Sequence, residues 1–279
     1  MLFQRIYLEE NETIYMDAYV ANAIPNLTRK AILVIPGGGY GNVCKQREGE
    51  PIAMAFMPYG YNAFVLNYSH AHNDGRRFPT QLIQASKALA FIKDHAQEYG
   101  IDPEQVFVVG FSAGGHLAGC LGTMWHKREI YEEIEIPYGY NKPRGAMLIY
   151  PVVTGVEDFR HFSSYQNLLG DENPSMESLE MCSLEKNVDE RSCPIFVLHT
   201  SDDQLVNVRN SLVLATAYAE AGLKFELHIY PKGHHGVALG NRITRCGVDD
   251  WDNPSIGKWV ENAAMWAESL GEITESKEK

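Results

Sequence analysis

Apolar residues along the chain fall into two kinds of run. In TIYMDAYV, Ile14, Met16, Ala18 and Val20 alternate with more polar neighbours, the two-residue period of a half-buried antiparallel strand. The later runs AILVIP (31–36), NAFVLN (62–67), QVFVVG (105–110), GAMLIY (145–150), PIFVLH (194–199) and FELHIY (225–230) are apolar almost throughout. That is the pattern of parallel strands covered by helices on both faces. Between them lie segments of helical period. Segment 79–99 opens on a proline, which a first helical turn tolerates, places Leu82, Ile83, Ser86, Leu89 and Ala90 on one face, and stops at Gly100. VRNSLVLATAYAEAG stops in the same way at Gly222, and SIGKWVENAAMWAESLG spaces Trp259, Ala263 and Trp266 as a sheet-facing stripe. Strand and helix alternating this regularly predict a doubly wound, mostly parallel α/β sheet with antiparallel strands at its N-terminal edge, in a single domain over 1–279. Two connections, at about 123–144 and 152–193, are too long for plain turns. The second contains SSYQNLLGDENPSMESLEMCSLEKNV, whose Asn-Pro and Leu/Met spacing predict short helices forming a lid or rim over the C-terminal edge of the sheet.

Composition narrows the function classes. A chain of 279 residues that is 45% apolar can bury one large core or two modest ones. With 24 Lys and Arg against 36 Asp and Glu, the net charge of -12 repels phosphate backbones and anionic lipid, so nucleic acid is not an expected partner. The first residues lack a basic stretch followed by an apolar one, and no uncharged apolar run approaches the roughly 18 residues that a membrane span needs. A soluble, cytoplasmic protein is expected, with homo-oligomerisation left open. Cys44, Cys120, Cys182, Cys193 and Cys246 are odd in number and widely spaced, without CxxC pairs or zinc-ligand spacing, which predicts buried thiols in a reducing compartment and no metal site.

The chemistry is concentrated in VFVVGFSAGGHLAG, 106–119. Gly110-Phe111-Ser112-Ala113-Gly114 is G-x-S-x-G with a strand before it and a helix after it, the context in which a sharp turn lifts a serine above the sheet at a helix N-terminus. A serine hydroxyl needs a base, an orienting acid and an oxyanion site to act as a nucleophile. Each has a candidate. Pro36-Gly37-Gly38-Gly39-Tyr40, after the first parallel strand, can turn bare backbone N–H groups towards a substrate. No GK[ST] follows and no G-x-G-x-x-G is present, which argues against a phosphate loop. Acid candidates are Asp202 and Asp203, past PIFVLHT, and base candidates are His234 and His235, past FELHIYP. Adjacent histidines alone do not complete a metal site. Serine, acid and histidine follow in that order, each just after a predicted parallel strand, so their loops open on one edge of the sheet.

Taken together, AILVIPGGGY, REGEPIAMAF, FVLNYS, VGFSAGGHLAG, SLEKNV, LHTSDDQLV and GHHGVAL make nearly the whole chain resemble the α/β-hydrolase esterases, and within them the acetyl xylan esterase-like carbohydrate esterases. The resemblance implies an α/β-hydrolase fold and a serine esterase acting on short acyl groups, chiefly acetyl, of a sugar or xylo-oligosaccharide, without a cofactor. The family's H-x-x-x-D-x-x-V falls on His199, Asp203 and Val206, and its G-x-H-G selects His235. The resemblance further implies Ser112 as nucleophile and the Gly38, Gly39 and Ala113 amides as the oxyanion hole. One departure is Pro36, where related lipases and esterases often carry the histidine of H-G-G-G. Tyr40 is a candidate substrate contact, and Tyr40, Trp125, Tyr165 and Trp251 are aromatic residues that could stack on a sugar. Arg47, Glu48 and Glu50 could meet a polar substrate, although acids at a helix start beside Pro51 need no such role. The same triad also serves general carboxylesterases, arylformamidases and peptidases, and the scaffold serves non-catalytic binding proteins, against which the intact Ser112, Asp203 and His235 set argues.

Overall fold

The computed structural model describes residues 1–10, 12–132, 134–245 and 252–272. Its strands are β1 (Leu2–Tyr7), β2 (Tyr15–Val20), β3 (Arg29–Ile35), β4 (Tyr61–Asn67), β5 (Ile101–Phe111), β6 (Ala146–Ile149), β7 (Ile195–Thr200) and β8 (Phe225–Tyr230). They form one eight-stranded sheet in the order β1-β2-β4-β3-β5-β6-β7-β8. The pairs β1–β2 and β2–β4 are antiparallel and every other pair is parallel. The helices are α1 (Lys45–Glu48), α2 (Glu50–Phe56), α3 (Thr80–Asp94), α4 (Ala96–Tyr99), α5 (Ala113–Met124), α6 (Arg128–Tyr131), α7 (Phe162–Leu169), α8 (Met176–Cys182), α9 (Arg209–Glu220) and α10 (Trp259–Glu272).

Even the uniformly apolar strands sort their side chains by the two-residue period. Leu33, Val108, Leu148 and Val197 face a layer built by α3, α5 and α9, where Leu89, Leu117, Leu121 and Tyr218 are buried. Ile32, Val34, Phe107, Val109 and Phe196 face the opposite layer, filled by Ile52 and Phe56 of α2 and by Trp259, Ala263 and Trp266 of α10. Both faces are therefore dry along β3, β5, β6 and β7, which is why these strands lack polar alternation, whereas the edge strand β8 leaves Phe225 and Ile229 exposed.

Some expectations shift. The helical segment 79–99 breaks at His95, whose ring stacks on Phe91 at 3.8 Å between centroids, so α3 and α4 are separate. Ile83 is only half-buried, while Gln81 and Gln84 are buried. These buried amides are engaged from within: Gln84 Oε1 accepts the Ser69 N–H at 2.9 Å, its Nε2 donates to Glu9 at 2.9 Å, and Gln81 Nε2 donates to Arg76 O at 2.9 Å. In segment 123–144 the helical element is the short α6. Segment 152–193 carries α7, α8 and a 3-10 turn at Leu184–Lys186, and it buries Tyr165, Leu168, Leu179, Cys182 and Leu184 in the main core. It is a packed rim. Cys120, Cys182 and Cys193 are free, buried thiols and Cys44 is half-buried; Cys246 and Trp251 lie outside the described residues. Among the described residues no helix is long and apolar enough to cross a membrane.

Trp259 joins the back layer to the histidine loop. It is fully buried, packs edge-on against Phe56 and Phe111, and donates its indole N–H to Ala238 O at 2.9 Å. Trp259→Ala should therefore cost about 3–5 kcal/mol in urea unfolding, whereas a loss under about 1 kcal/mol would contradict this packing.

Candidate active site

Ser112 sits between the end of β5 and the first turn of α5, with φ at +53° and ψ at -117°. A non-glycine residue there is strained, and surrounding bonds hold it. Its N–H donates to Ile149 O at 3.0 Å, and its carbonyl accepts from His116 N at 3.0 Å and Val152 N at 3.1 Å. The flanking glycines are required by proximity. A Cβ on Gly110 would lie 2.0 Å from Gly114 O, and one on Gly114 would lie 2.1 Å from Ile35 O.

His235, in the loop after β8, has Nε2 2.8 Å from Ser112 Oγ and Nδ1 2.7 Å from Asp203 Oδ2. An ionised carboxylate only accepts, so Nδ1 carries the proton and Nε2 is free to accept from the serine hydroxyl. Asp203 is held from three sides in the loop after β7. Its Oδ1 accepts the N–H groups of Leu205 and Val206, both at 2.9 Å, and Oδ2 lies 3.3 Å from His199 Nε2. Burial alone would raise its pKa, but the hydrogen bonds from His199 and His235 outweigh burial and hold the carboxyl well below the usual carboxylate range. His199 is itself fixed, with Nδ1 2.7 Å from Ser211 Oγ and Nε2 2.9 Å from Val206 O. The doubled neighbours point elsewhere. Asp202 accepts the Gly233 N–H at 2.8 Å and His234 is exposed.

The glycine loop arches over this group. Gly38, Gly39 and Tyr40 all have positive φ, at +130°, +61° and +56°. The amides of Gly38, Gly39 and Ala113 find no acceptor among the described residues, while the Gly37 N–H is taken by Glu48 Oε2 at 2.8 Å. The loop is tied from outside by Asn167 of α7, whose Nδ2 donates to Gly39 O at 2.9 Å. From below, the Tyr40 hydroxyl is 2.7 Å from His116 Nδ1, and His116 Nε2 is 2.7 Å from Cys182 O. Since a carbonyl only accepts, His116 donates from Nε2 and accepts a hydrogen bond from the Tyr40 O–H at Nδ1, which fixes it neutral. Burial pulls its pKa down to about 4.

Three aromatic candidates lose their proposed sugar-stacking role for a simple reason. Tyr40, Tyr165 and Trp125 are buried, with 1%, 1% and 8% of their surface exposed, and Lys142 Nζ further covers the Trp125 ring at 4.7 Å from its centroid. Tyr40 shapes the loop from beneath instead of meeting a substrate with its ring. Glu48 is also turned inward, with its other oxygen accepting from Tyr150 OH at 2.9 Å. Sequence reasoning missed the roles of His116, Asn167, His199 and Glu48 as supports. His116 was the most legible, standing four residues after Ser112 and so one helical turn further along α5.

A serine on a strand-to-helix elbow, a histidine and a carboxylate in hydrogen-bonding sequence, and a parallel sheet that gathers their loops define an α/β hydrolase. The chain belongs to the BD-FAE family, whose profile matches residues 16–218. It is 36% identical over 86% of its length to endo-1,4-beta-xylanase B of Butyrivibrio fibrisolvens, and 31% identical over 85% to acetylxylan esterase of Xylanibacter ruminicola. It spans only 38% and 46% of the length of these two relatives. Among solved structures, the acetyl ester-xyloside bifunctional hydrolase from Caldicellulosiruptor lactoaceticus superimposes with a TM-score of 0.81 at 31% identity, covering 96% of each chain.

The neutral, buried His116 makes a prediction about pH. Its folded pKa of about 4 lies below the ordinary 6.5, so between these values the unfolded chain binds a proton that the folded chain refuses. The stabilisation is complete above pH 6.5 and is lost as the pH falls towards 4, by about 3 kcal/mol for this group. Burial also lowers His70, His126 and His161, which act in the same direction. Urea unfolding from pH 7 to 4 should show a shallower loss of stability in His116→Gln than in the wild type. Equal slopes would contradict a neutral His116.

Proposed function

We propose that the protein is a serine esterase that removes short acyl groups, chiefly acetyl, from small acetylated sugars or xylo-oligosaccharides by way of an acyl-enzyme. The observation that carries this reading is the run of hydrogen bonds from Ser112 Oγ through His235 to Asp203, at 2.8 and 2.7 Å, beneath three unengaged amides. His235 takes the Ser112 proton as the oxygen attacks the ester carbonyl, and Asp203 holds the imidazole and balances its charge. The amides of Gly38, Gly39 and Ala113 receive the oxyanion, helped by the N-terminus of α5. His235 then gives the proton to the sugar oxygen as its bond to the acyl carbon breaks, so the sugar leaves as an alcohol, and water releases the acid through the same groups. The sugar acetate substrate is supported by the names of the Xylanibacter and Caldicellulosiruptor relatives. Cytoplasmic work on imported oligosaccharides agrees with Cys120, Cys182 and Cys193 standing as thiols outside any disulfide.

A preference for acetyl is supported by packing beside the oxyanion loop. Tyr40, His116, Val152, Ser164, Tyr165 and Leu168 close on one another and leave no void that would hold a water. An added methylene therefore has nowhere to go on that side, whereas an open apolar pocket would gain about 1–3 kcal/mol from each one. The expected series is a steep fall in kcat/KM from p-nitrophenyl acetate through butyrate to hexanoate, and release of acetate from acetylated xylo-oligosaccharides. A maximum at hexanoate would move the protein to the general carboxylesterases. Ser112→Ala should lose both hydrolysis and labelling by a fluorophosphonate while staying folded.

The neighbouring pairs give a second test. Asp203→Asn or His235→Ala should reduce kcat by about ten-thousand-fold, because each removes the base or its orientation. Asp202→Asn and His234→Ala should each cost less than about tenfold. Losses of equal size at Asp202 or His234 would reverse the assignment.

A further inference from the structure

Glu48 belongs to the REGE stretch that the proposed chemistry leaves unused, yet it is 4% exposed and both its oxygens are engaged. Burying a carboxylate is costly unless hydrogen bonds compensate. Here the compensation comes from two different loops. Oε2 accepts the Gly37 N–H at 2.8 Å, at the root of the glycine loop. Oε1 accepts the Tyr150 hydroxyl proton at 2.9 Å, and the Tyr150 oxygen in turn accepts the Ala238 N–H at 3.1 Å, three residues beyond His235. The Tyr150 ring also stands edge-on to the His235 imidazole, with centroids 5.0 Å apart. Next to Glu48, Arg47 Nη2 donates to Gly236 O. A side chain on Gly236 would itself meet this pair, since its Cβ would fall 2.5 Å from Arg47 Nη2 and 3.8 Å from Glu48 Oε1.

We propose that Glu48, acting through Tyr150, is a positioning residue that sets the glycine loop and the histidine loop at a fixed distance from each other. This rests on the esterase reading. The base and the two glycine oxyanion donors sit on separate loops, after β8 and after β3, which are not neighbours in the sheet. Their relative placement decides whether proton transfer and oxyanion stabilisation act on the same tetrahedral centre. The turn at α1 spans the gap with one buried carboxylate. By holding the Gly37 N–H it also withholds that donor from the oxyanion and leaves the task to the next amides along the loop.

The polarity of the bridge makes it testable with little change of volume. Tyr150 already accepts from Ala238, so its own proton must go to an acceptor, and the Gly37 N–H needs one as well. A glutamine at position 48 offers one oxygen and one NH2, so whichever way the amide is turned, one link is lost. Glu48→Gln and Tyr150→Phe should each lower kcat on p-nitrophenyl acetate about tenfold to a hundredfold with KM within about threefold, because misplacement of about 1 Å falls on the transition state. Affinity for a boronic acid, which forms a tetrahedral adduct at Ser112, should fall in the same proportion as kcat. Amide hydrogen exchange of Glu48→Gln should rise in peptides covering both 37–41 and 234–239. Gln46→Ala, on an exposed side chain of α1 two residues before Glu48, serves as the control and should match the wild type. A Glu48→Gln enzyme with wild-type kcat, a loss confined to KM, or faster exchange in 37–41 alone would overturn the bridge. If the wild type hydrolyses no ester, the esterase reading fails, and exchange in the two loops still decides whether Glu48 couples them.

Discussion

Helix α5 meets the ends of β3 and β5 at backbone contact distance, with no room for a Cβ at Gly110 or Gly114. Because of this contact the chain can leave β5 only through a left-handed residue, and that residue is Ser112. The same contact aims the helix N-terminus at the serine oxygen and sets the Ala113 amide beside it. The other parts of the site are referred to this point. The sheet order puts β6, β7 and β8 in sequence on one side of β5, so the loops carrying Asp203 and His235 reach back towards Ser112 from that side. On the other side β3 delivers the glycine loop. A strained residue persists only when its surroundings over-determine it, and here Ile149, Val152 and His116 all bond to the Ser112 backbone.

Most of this architecture was legible in the sequence because it follows from local periods. The apolar runs fall on the parallel strands, although β5 starts four residues before QVFVVG and GAMLIY yields only the short β6. The break at His95 escaped because periodicity cannot see one ring stacking on another. Gln81 and Gln84 escaped for a related reason: a polar residue reads as a surface residue until its partners are known, here Arg76 O for Gln81 and Ser69 and Glu9 for Gln84.

At the site, the order of serine, aspartate and histidine along the chain carried the inference, and the structure brings Ser112, His235 and Asp203 into one hydrogen-bonded series. The distant partners of their supports were not legible. His116 bonds to Cys182, Asn167 to Gly39 and Tyr150 to Ala238 across separations of 66, 128 and 88 residues, and no local rule links such pairs. Burial of the aromatic rings was equally hidden. Tyr40 follows three glycines in a loop-like stretch, and only the packing of α5 and α7 around it shows that its ring faces inward.

The rim segment 152–193 is bound to the glycine loop by two separate ties, one from Asn167 to Gly39 and one from the Cys182 carbonyl through His116 to Tyr40. Loop and rim are consequently not interchangeable modules. A chimera that took this rim from another hydrolase would leave the Gly39 carbonyl and the His116 N–H without partners unless the donor happened to present an amide and a carbonyl at the same places. Recombination that respects the fold has to carry 37–41, His116 and the rim as one block, with its crossover points outside all three.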